Sequence, residues 1–114
     1  MKDSIKKYFK VGLVQFMAFP AALRGEDPDI VANIKKVACD DYFDTIEITW
    51  IKDAGLRAKV KALLEGAHME ICYGAQPRLL TTGLSPNSLD EDQRLKAQAS
   101  LIEAIDEAHE MGAI

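Results

Sequence analysis

Glu47 is the residue whose setting poses a chemical question most directly. It lies in Thr45-Ile46-Glu47-Ile48-Thr49-Trp50-Ile51, an alternating run in which Thr45, Glu47 and Thr49 share one face of a strand and Ile46, Ile48 and Trp50 the other. A carboxylate on an enclosed face is costly without a partner, so Glu47 implies either a role in holding a ligand or an ion pair with a basic residue elsewhere in the complete fold. Two amides could assist. Gln15 lies within the first apolar run, and Gln76 stands beside Pro77 and Arg78 in a long segment after the third, where hydrogen-bonding side chains can fix a hydroxylated molecule. Trp50 packs beneath helices or, as a strand-end aromatic, walls a ligand pocket. Glu47, Trp50, Gln15 and Gln76 form the candidate substrate-binding set. No residue is assigned as catalytic or as a metal ligand.

Other chemically capable residues have plainer readings. His68 precedes a strand and His109 ends a helix, both away from the long loops, so neither is expected to act as a base; His109 suits a helix C-terminus as a cation. Asp40, Asp41 and Asp44 lack the spacing of a calcium loop and read as a solvated turn. Met17, Met69 and Met111 read as core filler. Cys39 and Cys72 lie 33 positions apart, outside any C-x-x-C pair, and read as reduced structural residues.

These residues must be positioned by alternating strands and helices. Residues 9–17, rich in β-branched and aromatic side chains, predict a first strand. Asp27 and Pro28 suit the cap and first position of a helix, in which Ile30, Val31, Ile34, Val37 and Ala38 form one apolar stripe ending near Asp41. Residues 45–51 predict the second strand. Asp53 caps a second helix with Leu56, Val60, Leu63 and Leu64 on one face and Gly66 as a left-handed stop. Residues 69–73 predict a third strand, with Glu70 and Cys72 facing as Glu47 does and Met69, Ile71 and Tyr73 opposite. Ser88 and Glu91 form a capping box for a long helix through Leu95, Ala99, Ile102, Ile105 and Ala108 to Gly112.

The pattern is α/β: three parallel β-α units in one domain, residues 1–114. Long connections follow the strands and short ones follow the helices, which puts any site at the C-terminal strand ends, near residues 15–19, 50–53 and 73–82. No G-x-G-x-x-G follows the first strand and no P-loop lysine is present, which argues against a nucleotide fold of the doubly wound kind. Each unit averages about 38 residues, so eight would take about 304, within the span of a (β/α)8 barrel. The architecture expected is an incomplete TIM barrel.

A net charge of -4 and a pI near 5.1 argue against a nucleic-acid partner. Residues 1–10 carry lysines but no following apolar stretch with a cleavage site, and no run reaches the ~18 apolar residues of a membrane span, so no membrane association and a cytoplasmic location are expected.

Lys10-Val11-Gly12-Leu13, Phe43-Asp44-Thr45-Ile46-Glu47-Ile48 and Ala108-His109-Glu110-Met111-Gly112-Ala113, taken in this order, resemble the N-terminal part of the sugar phosphate isomerase/epimerase family, the xylose-isomerase-like barrels. The likeness runs from about Lys10 to Ile114. It implies a barrel enzyme that moves a proton between neighbouring carbons of a sugar or sugar phosphate, usually around a divalent metal. In such families the metal ligands lie mainly on strands four to eight, so the resemblance carries fold and ancestry but no catalytic residues. It implies that this chain alone binds no metal cofactor, lacks metal-dependent isomerase activity, and supplies part of a substrate pocket completed by a remaining barrel segment. The competing expectation is a non-catalytic α/β module that completes its sheet as a homo-oligomer, because three parallel strands leave two edges and an inner face uncovered. A base-excision endonuclease of the same barrel superfamily is disfavoured by the acidic balance.

Overall fold

The computed structural model describes residues 4–114. The segment 1–10 discussed above therefore falls partly outside the described residues. The chain is α/β, with a three-stranded, all-parallel open sheet in the order β1 (Gly12–Val14), β2 (Thr45–Ile48), β3 (Glu70–Tyr73). Its helices are α1 (Gln15–Ala18), α2 (Ile30–Ala38), α3 (Ala54–Gly66), α4 (Gln76–Thr82) and α5 (Glu91–Met111), with 3-10 turns at Ile5–Lys7 and Pro20–Arg24.

The register fixes the two faces of the sheet. Leu13, Ile46 and Ile71 form one row and Ile48 pairs with Tyr73; with α2, α3 and Met111 of α5 they build the core. Ile30, Ile34 and Val37 bring the α2 stripe into it, and Val60 and Leu64 bring that of α3, as their helical spacing predicts. The opposite face carries the rows Gly12, Thr45, Glu70 and Val14, Glu47, Cys72. Cys72 Sγ stands 3.6 Å from Thr45 Oγ1 on this face. A cleft of 190 Å³ lined by Gly12, Leu13, Val14, Thr45, Glu47 and Cys72 opens there.

Several boundaries differ from the sequence expectation. The first strand covers only Gly12–Val14, because Gln15 starts a helical turn closed by a 2.8 Å bond from the Phe19 N–H to the Gln15 carbonyl. Met17 on that turn is 73% exposed and is not core filler, whereas Met69 and Met111 are buried. Asp27 is not the helix cap. Its carboxylate accepts the Asp29 N–H and the Asn33 side chain, and α2 begins at Ile30. β2 ends at Ile48, and Ile51 rather than Trp50 joins the core cluster with α2 and α3. Gly66 remains within α3, and His68 takes the positive φ of 55° beyond it. Asp53 caps α3 as expected, accepting the Leu56 N–H at 2.8 Å.

At α5 the cap is Asp90, whose carboxylate accepts the Asp92 and Gln93 N–H groups; Ser88 instead accepts the Asp90 N–H, and no Ser88–Glu91 box forms. The buried face of α5 is Ala97, Ala104, Glu107 and Met111, while Leu95, Ile102 (53%) and Ile105 (67%) of the expected stripe are exposed. Small residues at 97 and 104 let the helix approach closely, and that approach decides which face is covered.

Candidate functional site

The C-terminal strand ends meet at Gly74. Its N–H donates to the Ile48 carbonyl at 2.7 Å, extending the β2–β3 ladder by one step. The buried Thr49 hydroxyl donates to the Gly74 carbonyl at 2.8 Å. A Cβ at Gly74 would lie 2.7 Å from Glu47 Oε1, 2.8 Å from Gln76 Oε1 and 2.9 Å from Phe16 Cε1. Glycine is needed there for close approach, and three side chains from β2, α4 and α1 converge over it. Two of them, Glu47 and Gln76, belong to the set read from the sequence.

Glu47 is half-buried, and among the described residues no basic side chain pairs with its carboxylate. Gln15 is fully buried, and neither its Oε1 nor its Nε2 has a hydrogen-bond partner. Unsatisfied buried amides are uncommon because each orphan polar atom costs on the order of 1–3 kcal/mol. Gln76 is exposed at the first residue of α4.

Trp50 stands apart, braced between the turn Pro20–Arg24 and α4. Its Nε1–H donates to the Leu23 carbonyl at 2.8 Å, and Lys52 Nζ and Arg78 Cζ lie 4.9 and 5.1 Å from its ring centroid. Such cation–π contacts hold an aromatic ring in place. Behind Trp50, the Ile51 peptide is gripped at both ends. Glu107 Oε1 accepts its N–H at 2.7 Å, and Arg57 Nη1 donates to its carbonyl at 2.7 Å. Burial pushes the Glu107 carboxyl above its ordinary value, against the opposing effects of the Ile51 N–H, Arg78 and Arg57. Burial first and the Glu107 charge second push the Tyr73 phenol up, and its buried hydroxyl lacks a hydrogen bond. Arg57 is raised chiefly by its bond to Glu110.

The sequence reading took residues 74–87 as loop and missed α4, although Pro77 near its start and Gly83 as its left-handed stop were both visible. It also missed Gly74 and Glu107. A charged residue at the spacing shared by Ala104 and Met111 was the available signal for Glu107.

The opposite end of the strands holds a polar 470 Å³ cavity lined by Lys6, Lys10, Asp40, Asp44, His68 and Glu70. Asp44 accepts the Val11 N–H at 3.1 Å and pairs with Lys6, and Lys10 pairs with Glu70. The Val11 bond, ahead of Lys6, holds the Asp44 carboxyl below its ordinary value. Asp44 is thus a structural anchor, beyond the solvated turn read from the sequence. Cys39 and Cys72 are free. Among the described residues no group of three or more His, Cys, Asp or Glu could hold a metal ion, and no helix is long and apolar enough to cross a membrane. Comparison with protein-family models, curated proteins and solved structures gives no match.

Proposed function

We propose that this chain is the three-unit N-terminal part of an incomplete (β/α)8 barrel of the sugar phosphate isomerase/epimerase kind, supplying one wall of a pocket for a sugar or sugar phosphate. The observation that carries the reading is the unpaired Glu47 carboxylate, converging with Gln76 over Gly74 on a sheet face that α2 and α3 leave uncovered. Parallel sheets are normally covered on both faces, and a sheet whose long helices α2 and α3 pack on one face suits one that curls around its other face. The half-buried Glu47 carboxylate and the exposed Gln76 amide match the hydroxyls of a polyol: the carboxylate accepts, and the amide accepts and donates. Trp50 walls the outer side behind α4.

The outer edge of β3 fits continuation of the sheet. The Ile114 N–H donates to the Ile71 carbonyl at 3.0 Å, and beyond it a 490 Å³ apolar groove is lined by Tyr73, Leu101, Ala104, Ile105 and Ile114. The radius of gyration, 15.6 Å, exceeds the ~13 Å of a closed domain of this length. In this reading the metal of the complete barrel and its acid-base groups come from the remaining segment, and the chain alone has no isomerase turnover.

The test is an NMR titration of the isotopically labelled chain with aldoses, ketoses and their phosphates. Shifts concentrated at Gln15, Glu47, Gly74 and Gln76 support the reading. Shifts confined to other surfaces, or none at millimolar ligand, overturn it.

The second reading, a non-catalytic module that pairs with its own copies, is favoured by the same apolar groove and by exposed Leu95, Ile102 and Ile105. Sedimentation as a concentration-dependent oligomer, lost in Ile105→Glu, supports it; a stable monomer at high concentration removes it.

A further inference from the structure

Glu107 is only 7% exposed, and it is the one carboxylate among the buried polar residues of α5. It faces charged or polar groups on every element packed around it. Arg57 comes from α3, Arg78 from α4 with Nη2 at 3.9 Å, Tyr73 from β3, and the Ile51 N–H from the β2–α3 connection. On α5 itself Glu103 lies 3.3 Å from the same Arg78 nitrogen, and Glu110 bonds Arg57 at 3.0 Å. Arg78 in turn stands against the Trp50 ring, and Trp50 is joined to Ile51 by one peptide bond. A single carboxylate therefore touches two of the supports of Trp50, the backbone that carries it and one of the two cations over its ring; the Leu23 carbonyl and Lys52 are the others.

We propose that Glu107 is a positioning residue for the strand-end site, setting the place of Trp50 through the Ile51 N–H and Arg78 according to whether it carries a proton. The proposal rests on the reading of the strand ends as a ligand site only for its functional meaning; the linkage itself is a property of the folded chain. Ionised, Glu107 accepts the Ile51 N–H with a full charge and attracts Arg78, which strengthens both contacts. Protonated, it keeps at best a neutral hydrogen bond and releases Arg78 toward Glu103. The Trp50 ring then keeps Lys52 and its bond to the Leu23 carbonyl but loses Arg78, and the connection that carries it loosens. The direction is plain: Trp50 is held more firmly at higher pH.

Trp50 is the sole tryptophan of the chain, so its signals are unambiguous. The experiment follows the Ile51 amide and Trp50 Nε1–H resonances, together with Trp50 emission, against pH in the wild-type chain, with circular dichroism recording the fold. The proposal expects one common midpoint for all three, above the ordinary glutamate value of 4.5, while the fold persists. Glu107→Gln, which keeps an acceptor for the Ile51 N–H, is expected to lose the transition; Glu103→Gln is expected to keep it. Different midpoints for Ile51 and Trp50, a flat response in the folded wild type, or an unchanged transition in Glu107→Gln would overturn the proposal. These readings need no ligand, so failure of the sugar titration with a common midpoint intact would sink the functional reading alone.

Discussion

Glu70 and Glu47 occupy the same face of the sheet, one register row apart, and meet opposite fates. Glu70, opposite Thr45 at the N-terminal end, is paired with Lys10. Glu47, opposite Cys72 toward the C-terminal end, has no basic partner among the described residues and points its Oε1 at the Gly74 backbone beside Gln76. The N-terminal end also satisfies Asp44 through Val11 and Lys6, whereas the C-terminal end leaves both polar atoms of Gln15 orphaned. Parallel α/β folds gather chemistry at the C-terminal strand ends, and the unequal treatment of like residues marks that end here. The carboxylates of the first end are spent on the fold; at the second, Glu107 is spent in the same way while Glu47 is left without a basic partner among the described residues.

The strongest way to break this comparison is to fill the point where the C-terminal groups converge. Gly74→Val places carbon within 3 Å of Glu47, Gln76 and Phe16, and is expected to destabilise the chain by ~1–3 kcal/mol in urea unfolding. A neutral effect would mean that Glu47 and Gln76 are not held at Gly74.

Next in size is the opposed pH response of the two ends. The Asp44 carboxyl lies below its ordinary 3.8, so its contribution is present above that value and is lost as pH falls through the folded-state value. The Glu107 carboxyl lies above its ordinary 4.5, so the folded state binds the extra proton. Its contribution is present below 4.5 and is lost as pH rises through the folded-state value. Unfolding free energy measured against pH should therefore lose its acid limb partly in Asp44→Asn and lose a decline at higher pH in Glu107→Gln. The same change of slope from both variants would erase the distinction between the ends.

Charge removal sharpens it further. Lys10→Met strands Glu70 and is expected to cost up to ~1 kcal/mol, the range of exposed ion pairs. Glu47→Gln breaks no ion pair and is expected to stay within ~0.5 kcal/mol of wild type by thermal unfolding. A large loss in Glu47→Gln would make that carboxylate structural.

Much of the frame was legible in the residues. The 3.6-residue stripe Ile30, Ile34, Val37 and the two-residue alternation around Glu47 each fix a buried face locally, and both appear in the fold. The seat of α5 was not legible, because Leu95, Ile102 and Ile105 make the stronger stripe while Ala97, Ala104 and Glu107 make the contact. The choice between them is set by how closely α3, α4 and β3 approach, which no local window contains. The same holds for the site: Glu47 stood out by its own strand, whereas Gly74 matters only because Glu47, Gln76 and Phe16 arrive from three separate elements. The alternation carried past Ile48 put Trp50 in the row of Ile46 and Ile48, but the strand ends at Ile48 and Ile51 takes the core position.

The most direct measurement is sugar-phosphate affinity of three labelled chains, wild type, Glu47→Gln and Glu70→Gln, followed at the Gly74 amide. Weakening of at least about tenfold in Glu47→Gln, the scale of one lost charge-assisted hydrogen bond, with Glu70→Gln near wild type, is the expected result. Equal affinities in all three, or a loss confined to Glu70→Gln, would contradict a ligand site at the C-terminal strand ends.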